Sequence, residues 1–440
     1  MDGGSSEGSE ARFAGYVEAL GVVLGHADRQ QPMHDYCLGL LMPIDPQERR
    51  TDGGRDGTGT GRRQASILAS FCWQCAVVGR RDAGQEPALA KAGVAELVLP
   101  AIERSGPVEA WIIDDTGFPK KGTHSVGVAR QYCGQLGKQD NCQVAVSLSL
   151  ANRHASLPVA YRLYLPEAWA SDAARRSKTG VPEEIAFKTK PEIALEQIRA
   201  ACAAGLPCGV VLMDAGYGTH SDLRTAVMAL ELPYVAGILS NTTVWAPGTR
   251  PLPPKAWKPG HGRPTKRLRR DAAHQPVKDL AFSLPAKAWR TITWREGTNV
   301  PLRSRFARLR VRIARRDFDR EPWPEEWLMI EWPREEKEPT KYWLSSLPDD
   351  IGFSRLVDLA KLRWRIERDY QDLKQEVGLG HFEGRGWRGF HHHASLCIAA
   401  YGFLISEQET IPPSEPRSSP HFQAPRLPED YRPRGATAQD

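Results

Sequence analysis

The 440-residue chain is 41% hydrophobic and 25% charged, which supplies enough apolar material for a large core and two or three domains. It has no run of about 18 apolar residues and no N-terminal signal pattern, so a soluble, cytoplasmic protein without a membrane partner is expected. The formal net charge of +6 is modest, and the 8 cysteines are scattered as reduced thiols are, which excludes a disulfide scaffold.

Residues 1–10 read as disordered. Helices follow at about 11–25 and 31–42, then a Gly/Arg-rich linker at about 48–63 and a helix at about 64–78. This helical N-terminal region, residues 1–100, has no clear helix-turn-helix signature. Cys72-Trp-Gln-Cys75 has zinc or redox spacing, but without a second such pair a structural or incidental role is the better reading.

Trp111-Ile-Ile-Asp114-Asp115-Thr-Gly and Gly209-Val-Val-Leu-Met-Asp214-Ala-Gly are short aliphatic runs ending in an acid and a glycine. Each predicts a buried strand that delivers a carboxylate at its C-terminal tip. An isolated strand-end Asp is more often a turn residue or helix cap. Between the two lie alternating strands at Gln143–Leu150 and Leu157–Leu165, joined by the turn Asn152-Arg-His-Ala-Ser, and a helix at about 191–204. A helix from Ser221 and a strand Tyr234–Leu239 follow. Three antiparallel strands and then alternating helix and strand predict an α/β core, with its first part at 108–240.

About 150 residues separate Asp214 from Glu367, far more than a loop. Trp245–Pro276 is rich in Pro and Gly and carries a cluster of cations that includes Lys266 and Arg267. Next, Arg308, Arg310 and Arg312 alternate with Leu309, Val311 and Ile313, which predicts a strand with one cationic face. The plainer reading is a charged edge strand that guards against aggregation. Further strands at Glu326–Trp332 and Lys341–Leu347 complete a basic, β-rich insertion at 241–350. Clustered cations grip phosphates better than the total charge suggests. Six tryptophans in or beside this segment (Trp245, Trp257, Trp289, Trp294, Trp323, Trp327) suit stacking on unpaired bases, though burial is the commoner fate of a Trp, and none is singled out.

The most informative run is Arg363-Trp-Arg-Ile-Glu367-Arg-Asp-Tyr-Gln-Asp-Leu-Lys374. At about 100° per residue, Arg363, Glu367, Tyr370 and Lys374 share one helix face, beside an apolar stripe of Leu359, Leu362, Ile366, Leu373 and Val377. A carboxylate flanked by cations at the edge of a core suits metal binding with phosphate-gripping neighbours. The bland alternative is a solvated face with an i,i+4 ion pair. His391, His392 and His393 are adjacent, so they cannot all face one site, and packing or phosphate contact suits them better than metal binding. The proline-rich stretch 408–440 reads as a flexible tail.

On these residues the chain, over about 108–404, resembles the DDE-type transposases of bacterial insertion sequences. Arg363, Glu367 and Lys374 fit the signature Tyr, two residues, Arg, three residues, Glu, six residues, Lys, with Ala360 at the tyrosine position. The stretches 114–122 and 386–393 resemble the subgroup called DDE superfamily endonucleases. The resemblance implies an RNase H-like mixed sheet flanked by helices, a β-rich insertion before the last catalytic helix at 351–407, and an N-terminal region that binds DNA ends. It implies two Mg²⁺ ions, for which Mn²⁺ can substitute, held by Asp115, Asp214 and Glu367, with Arg363 and Lys374 on DNA phosphates. The partners it implies are DNA, as terminal inverted repeats and target, and a second copy of the chain on paired ends, in a nucleoid-associated setting. Asp115 is preferred to Asp114 because it directly precedes Thr116. A nuclease that cuts without joining, and a decayed transposase that only binds DNA, are the alternatives.

Overall fold

The described residues open with helices α1 (Gly4–Leu24), α2 (Gln30–Leu41) and α3 (Glu86–Arg104). The sheet begins with β1 (Ala110–Pro119), β2 (Ala129–Cys133), β3 (Lys138–Ala151) and β4 (Ser156–Leu163). Two short helices, α4 (Glu167–Ala170) and α5 (Ala173–Thr179), lead to α6 (Lys190–Ala203), which a Thr189/Glu192 capping box starts. Then come β5 (Val210–Met213), α7 (Ala215–Gly218), α8 (Ser221–Ala229) and β6 (Tyr234–Ile238). The insertion holds β7 (Thr243–Trp245), β8 (His274–Pro276), α9 (Val277–Ser283), β9 (Arg290–Arg295), β10 (Leu302–Ile313), β11 (Glu326–Glu331) and β12 (Lys341–Ser345). Helices α10 (Phe353–Leu362), α11 (Trp364–Gln375) and α12 (Trp387–Thr410) are the last described elements. This computed structural model describes residues 4–24, 30–41, 86–249, 274–295, 301–314 and 323–410, with isolated positions between 252 and 263. The Gly/Arg-rich linker, Cys72, Cys75, Lys266, Arg267 and the tail from 411 lie outside the described residues.

The sheet runs β2-β3-β1-β5-β6-β12-β11-β10-β7-β8, with β4 on β3 and β9 on β10. Strands β1 and β3 pair antiparallel, whereas β1, β5 and β6 are parallel, as crossover helices require. This is an open mixed α/β sheet flanked by helices, of the RNase H-like kind. The insertion's strands do not form a separate layer: β12 pairs antiparallel with β6 and carries the same sheet outward.

Each sheet face has its own core. Ile112 and Leu212 pack with Leu356, Leu359, Ile366 and Tyr370 of α10 and α11. Trp111, Ile113 and Met213 join Ile193 and Ile198 of α6 and the α12 apolar residues on the other face. The first helix starts at Gly4, within the stretch read from sequence as disordered. A tertiary contact explains this: Ser9 and Arg12 donate to the Glu407 carboxylate on α12. Among the described residues no helix is long and apolar enough to cross a membrane.

Candidate active site

The strand register decides which acids meet. Ile113 of β1 sits beside Met213 of the parallel β5, so Asp114 and Asp214 follow at equivalent positions and face the same side of the sheet. Asp114 also lies opposite Ser147 of β3, whose hydroxyl bonds the Tyr370 hydroxyl of α11 at 2.7 Å. The face of Asp114 is therefore the face that α11 covers. Arg363, at the junction of α10 and α11, donates to Asp114 Oδ2 at 2.5 Å and to Glu367 Oε1 at 2.5 Å, and so links the strand acid to the helix acid.

Asp115 points the other way. Its Oδ2 accepts from Lys190 Nζ at 3.1 Å and from the Tyr217 hydroxyl at 3.0 Å, on the α6 side. Asp115, preferred from sequence because it precedes Thr116, stands with Lys190 and Tyr217, while Asp114 stands with Arg363 and, through it, Glu367. The parity needed to see this was in the chain, since Asp114 and Asp214 each end an aliphatic run at matching depth. The pairing register that aligns the two runs was not.

Asp214 caps α7: its Oδ1 accepts the Tyr217 N–H at 3.1 Å. Its turn presses on β6, where a Cβ on Gly237 would come within 2.9 Å of the Ala215 nitrogen. Another on Gly216 would sit 3.2 Å from Asp214 Oδ1, so glycine there keeps the carboxylate open.

Burial pushes the Asp114 carboxyl up to about 7; Asp214 and Asp115 add to this, while Arg363 and the Asp115 N–H oppose it. Lys374 at the end of α11 donates to the Gly117 carbonyl at 2.7 Å and to Gln135 Oε1 at 3.2 Å, and lies 4.7 Å above the Phe118 ring. Burial lowers it to about 8.

Among the described residues, no group of three or more His, Cys, Asp or Glu stands at metal-ligand spacing. Asp114 and Glu367 are instead neutralised by the Arg363 guanidinium. The donor chemistry still suits a divalent cation, because hard carboxylate oxygens line one face and burial beside two other acids raises one of them.

The insertion arginines face together, as the alternation implied, with Leu309, Val311 and Ile313 turned to the core on the other side. Their guanidinium groups have internal partners. Arg308 donates to the Ile351 carbonyl, Arg310 to the Glu325 carbonyl with Asp349 beside it, and Arg312 to the Trp323 carbonyl with Glu325 beside it. His391 and His393 are buried: His391 accepts the Leu163 N–H, and His393 bonds the Tyr36 hydroxyl at 2.5 Å.

The chain resembles a probable transposase for insertion sequence element IS701 from Microchaete diplosiphon, with 34% identity over 147 residues. That stretch is 33% of this chain and 35% of the relative, so it spans about a third of each. A family profile described as DDE superfamily endonuclease matches residues 19–301, which include β1 with Asp114 and Asp115 and the Asp214 turn. That match extends over well more than half of the sequence, and the chain belongs to the DDE superfamily endonucleases.

Proposed function

We propose that this chain is a transposase that cuts DNA at the ends of an insertion sequence and joins them to target DNA, with Asp114, Asp214 and Glu367 as its catalytic carboxylates. The observation that carries the reading is the convergence of acids: Asp114 and Asp214 each follow the paired Ile113 and Met213 and act on one another, with Arg363 reaching from Asp114 to Glu367. Two divalent ions, Mg²⁺ or Mn²⁺, bound by these carboxylates would supply an activated oxygen nucleophile and stabilisation of the leaving oxygen. The chain's own groups do the rest. Arg363 has a planar fork suited to a phosphodiester, and Lys374 offers a point charge beside β1. Tyr370, held by Ser147, packs on the sheet face beside Asp114.

A supercoiled plasmid carrying the inverted repeats that flank the gene provides the test. With Mg²⁺ or Mn²⁺ the protein should nick it at the repeats and insert a labelled end into a second plasmid. Asp114→Asn, Asp214→Asn and Glu367→Gln should each lose at least about a thousandfold in nicking while still binding the ends. Nicking without strand transfer would favour a nuclease, and binding without nicking a DNA-binding regulator.

A further inference from the structure

Tyr132 is the most solvent-exposed large hydrophobic residue among those described, at 60%. It lies on β2, the edge of the sheet, and its neighbour Cys133 explains its direction. Cys133 is fully buried, and its Sγ would come within 2.8 Å of a Cβ on Gly117, so the strand packs its Cys133 side onto β1. Alternation along the strand then turns Tyr132 out to solvent.

This ring is held near the catalytic helix. Gly134–Leu136 forms a tight turn closed by Gly137 in the left-handed conformation (φ 64°), whose N–H bonds the Gly134 carbonyl. Gln135 in that turn accepts from Lys374 Nζ, the cation that also bonds the Gly117 carbonyl. Tyr132 is three residues from Gln135, so its backbone lies within about 11 Å of the residue touching Lys374. Arg130, two residues back on the same face of β2, is exposed, as is Lys138, which lies opposite Cys133 on β3 and pairs with Asp140. Leu136 adds apolar surface at 41% exposure.

An exposed aromatic ring on an edge strand, with the exposed Arg130 on the same strand face and followed by a braced turn that bonds Lys374, has the make-up of a base-stacking platform. We propose that Tyr132 stacks on an unpaired DNA base next to the phosphate held at Lys374, so that this hairpin recognises the opened strand rather than the intact duplex. The proposal rests on the reading of the chain as a DNA-processing enzyme. Duplex DNA offers no free base face at this position, so the ring should matter only where bases are unpaired.

The test compares a fluorescein-labelled short duplex carrying a single-stranded oligo-thymidine tail with the same duplex blunt, by fluorescence anisotropy on the full chain. Tyr132→Ala should weaken binding to the tailed probe by roughly five- to a hundredfold. The blunt probe should bind the variant and the native protein equally, and Tyr132→Phe should restore tailed binding to within about twofold, because stacking needs the ring and not the hydroxyl. Equal losses on both probes, or no loss on the tailed one, would overturn the stacking role. A native protein that binds neither probe would instead sink the DNA-processing reading and take this one with it.

Discussion

Replacing either member of the Asp114-Asp115 pair by Asn should give stability changes of opposite sign, and the difference reports which acid is buried against Arg363. Burial raises Asp114 from its ordinary 3.8 to about 7. The folded chain therefore keeps this proton up to about pH 7, whereas the unfolded chain releases it near 4. Between those values the native state binds more protons, so native stability falls as pH rises through this window and is level above it. A shift of about three units corresponds to at most about 4 kcal/mol at pH 8. Asp114→Asn removes the titration and leaves Arg363 its second partner, Glu367, so the variant should be more stable than the native chain at pH 8 by about 2–4 kcal/mol. At pH 4.5 the two should nearly match. With an unfolding entropy of about 2 cal/mol/K per residue, that gain raises the melting temperature by about 2–4 °C. Asp115→Asn loses an acceptor for Lys190 and Tyr217 and should cost about 1–3 kcal/mol at either pH. Differential scanning fluorimetry across pH 4.5–8 reads both. A pH-dependent gain in Asp115→Asn with none in Asp114→Asn would mean that the β1 register is off by one, and the proposed carboxylate set would fall with it.

Three further outcomes follow from named contacts. Lys361→Met strands the buried Glu331 carboxylate, which Lys361 Nζ holds at 2.6 and 2.7 Å, and should cost about 3–5 kcal/mol in urea unfolding, with Glu331→Gln in the same chain recovering much of the loss. Because burial lowers Lys374 to about 8, its phosphate contact should fade as pH rises above 8; Lys374→Arg should flatten the resulting rise in the KM for DNA. Replacing Arg308, Arg310 and Arg312 together by Gln should lower the melting temperature by several degrees, since each guanidinium has an internal partner, and should change the slope of log K against log salt by less than about one phosphate equivalent.

Residues 108–240 are legible because the strands there are aliphatic runs closed by turn residues, and the two tips with an acid two residues before a glycine stand out. The helix run carrying Glu367 was legible from its 3.6-residue periodicity, although α10 and α11 part at Arg363. Strand β2 was not visible, because Ala129-Arg-Gln-Tyr-Cys has no apolar alternation and an edge strand needs none. Strands β7, β8 and β9 are short or polar and exist through their pairing, β7 and β9 with β10 and β8 with β7. The choice between Asp114 and Asp115 depended on β1–β5 register, a long-range property that neither run encodes alone. The internal partners of the three arginines were equally hidden, since Ile351, Glu325 and Trp323 supply carbonyls that any residue could offer.

The same long-range logic explains why the insertion belongs to the site although none of the proposed catalytic acids is in it. Strand β12 continues the sheet from β6, and β11 and β10 extend it further. From that platform several contacts fix the start of the acid-bearing helices: Arg308 to the Ile351 carbonyl, Trp327 Nε1 to the Pro348 carbonyl, and Glu331 to Lys361. Lys361 also lies over Trp294, 4.3 Å from the ring centroid, so β9 joins the clamp. Arg363 follows Lys361 by two residues, and its reach to Asp114 therefore depends on how β12 pairs with β6. A slip of one residue there would turn Leu344 off the core face and displace the helix that carries Glu367. The insertion between the second and third acids thus acts as a ruler laid along the sheet, setting where Arg363 and Glu367 stand relative to Asp114.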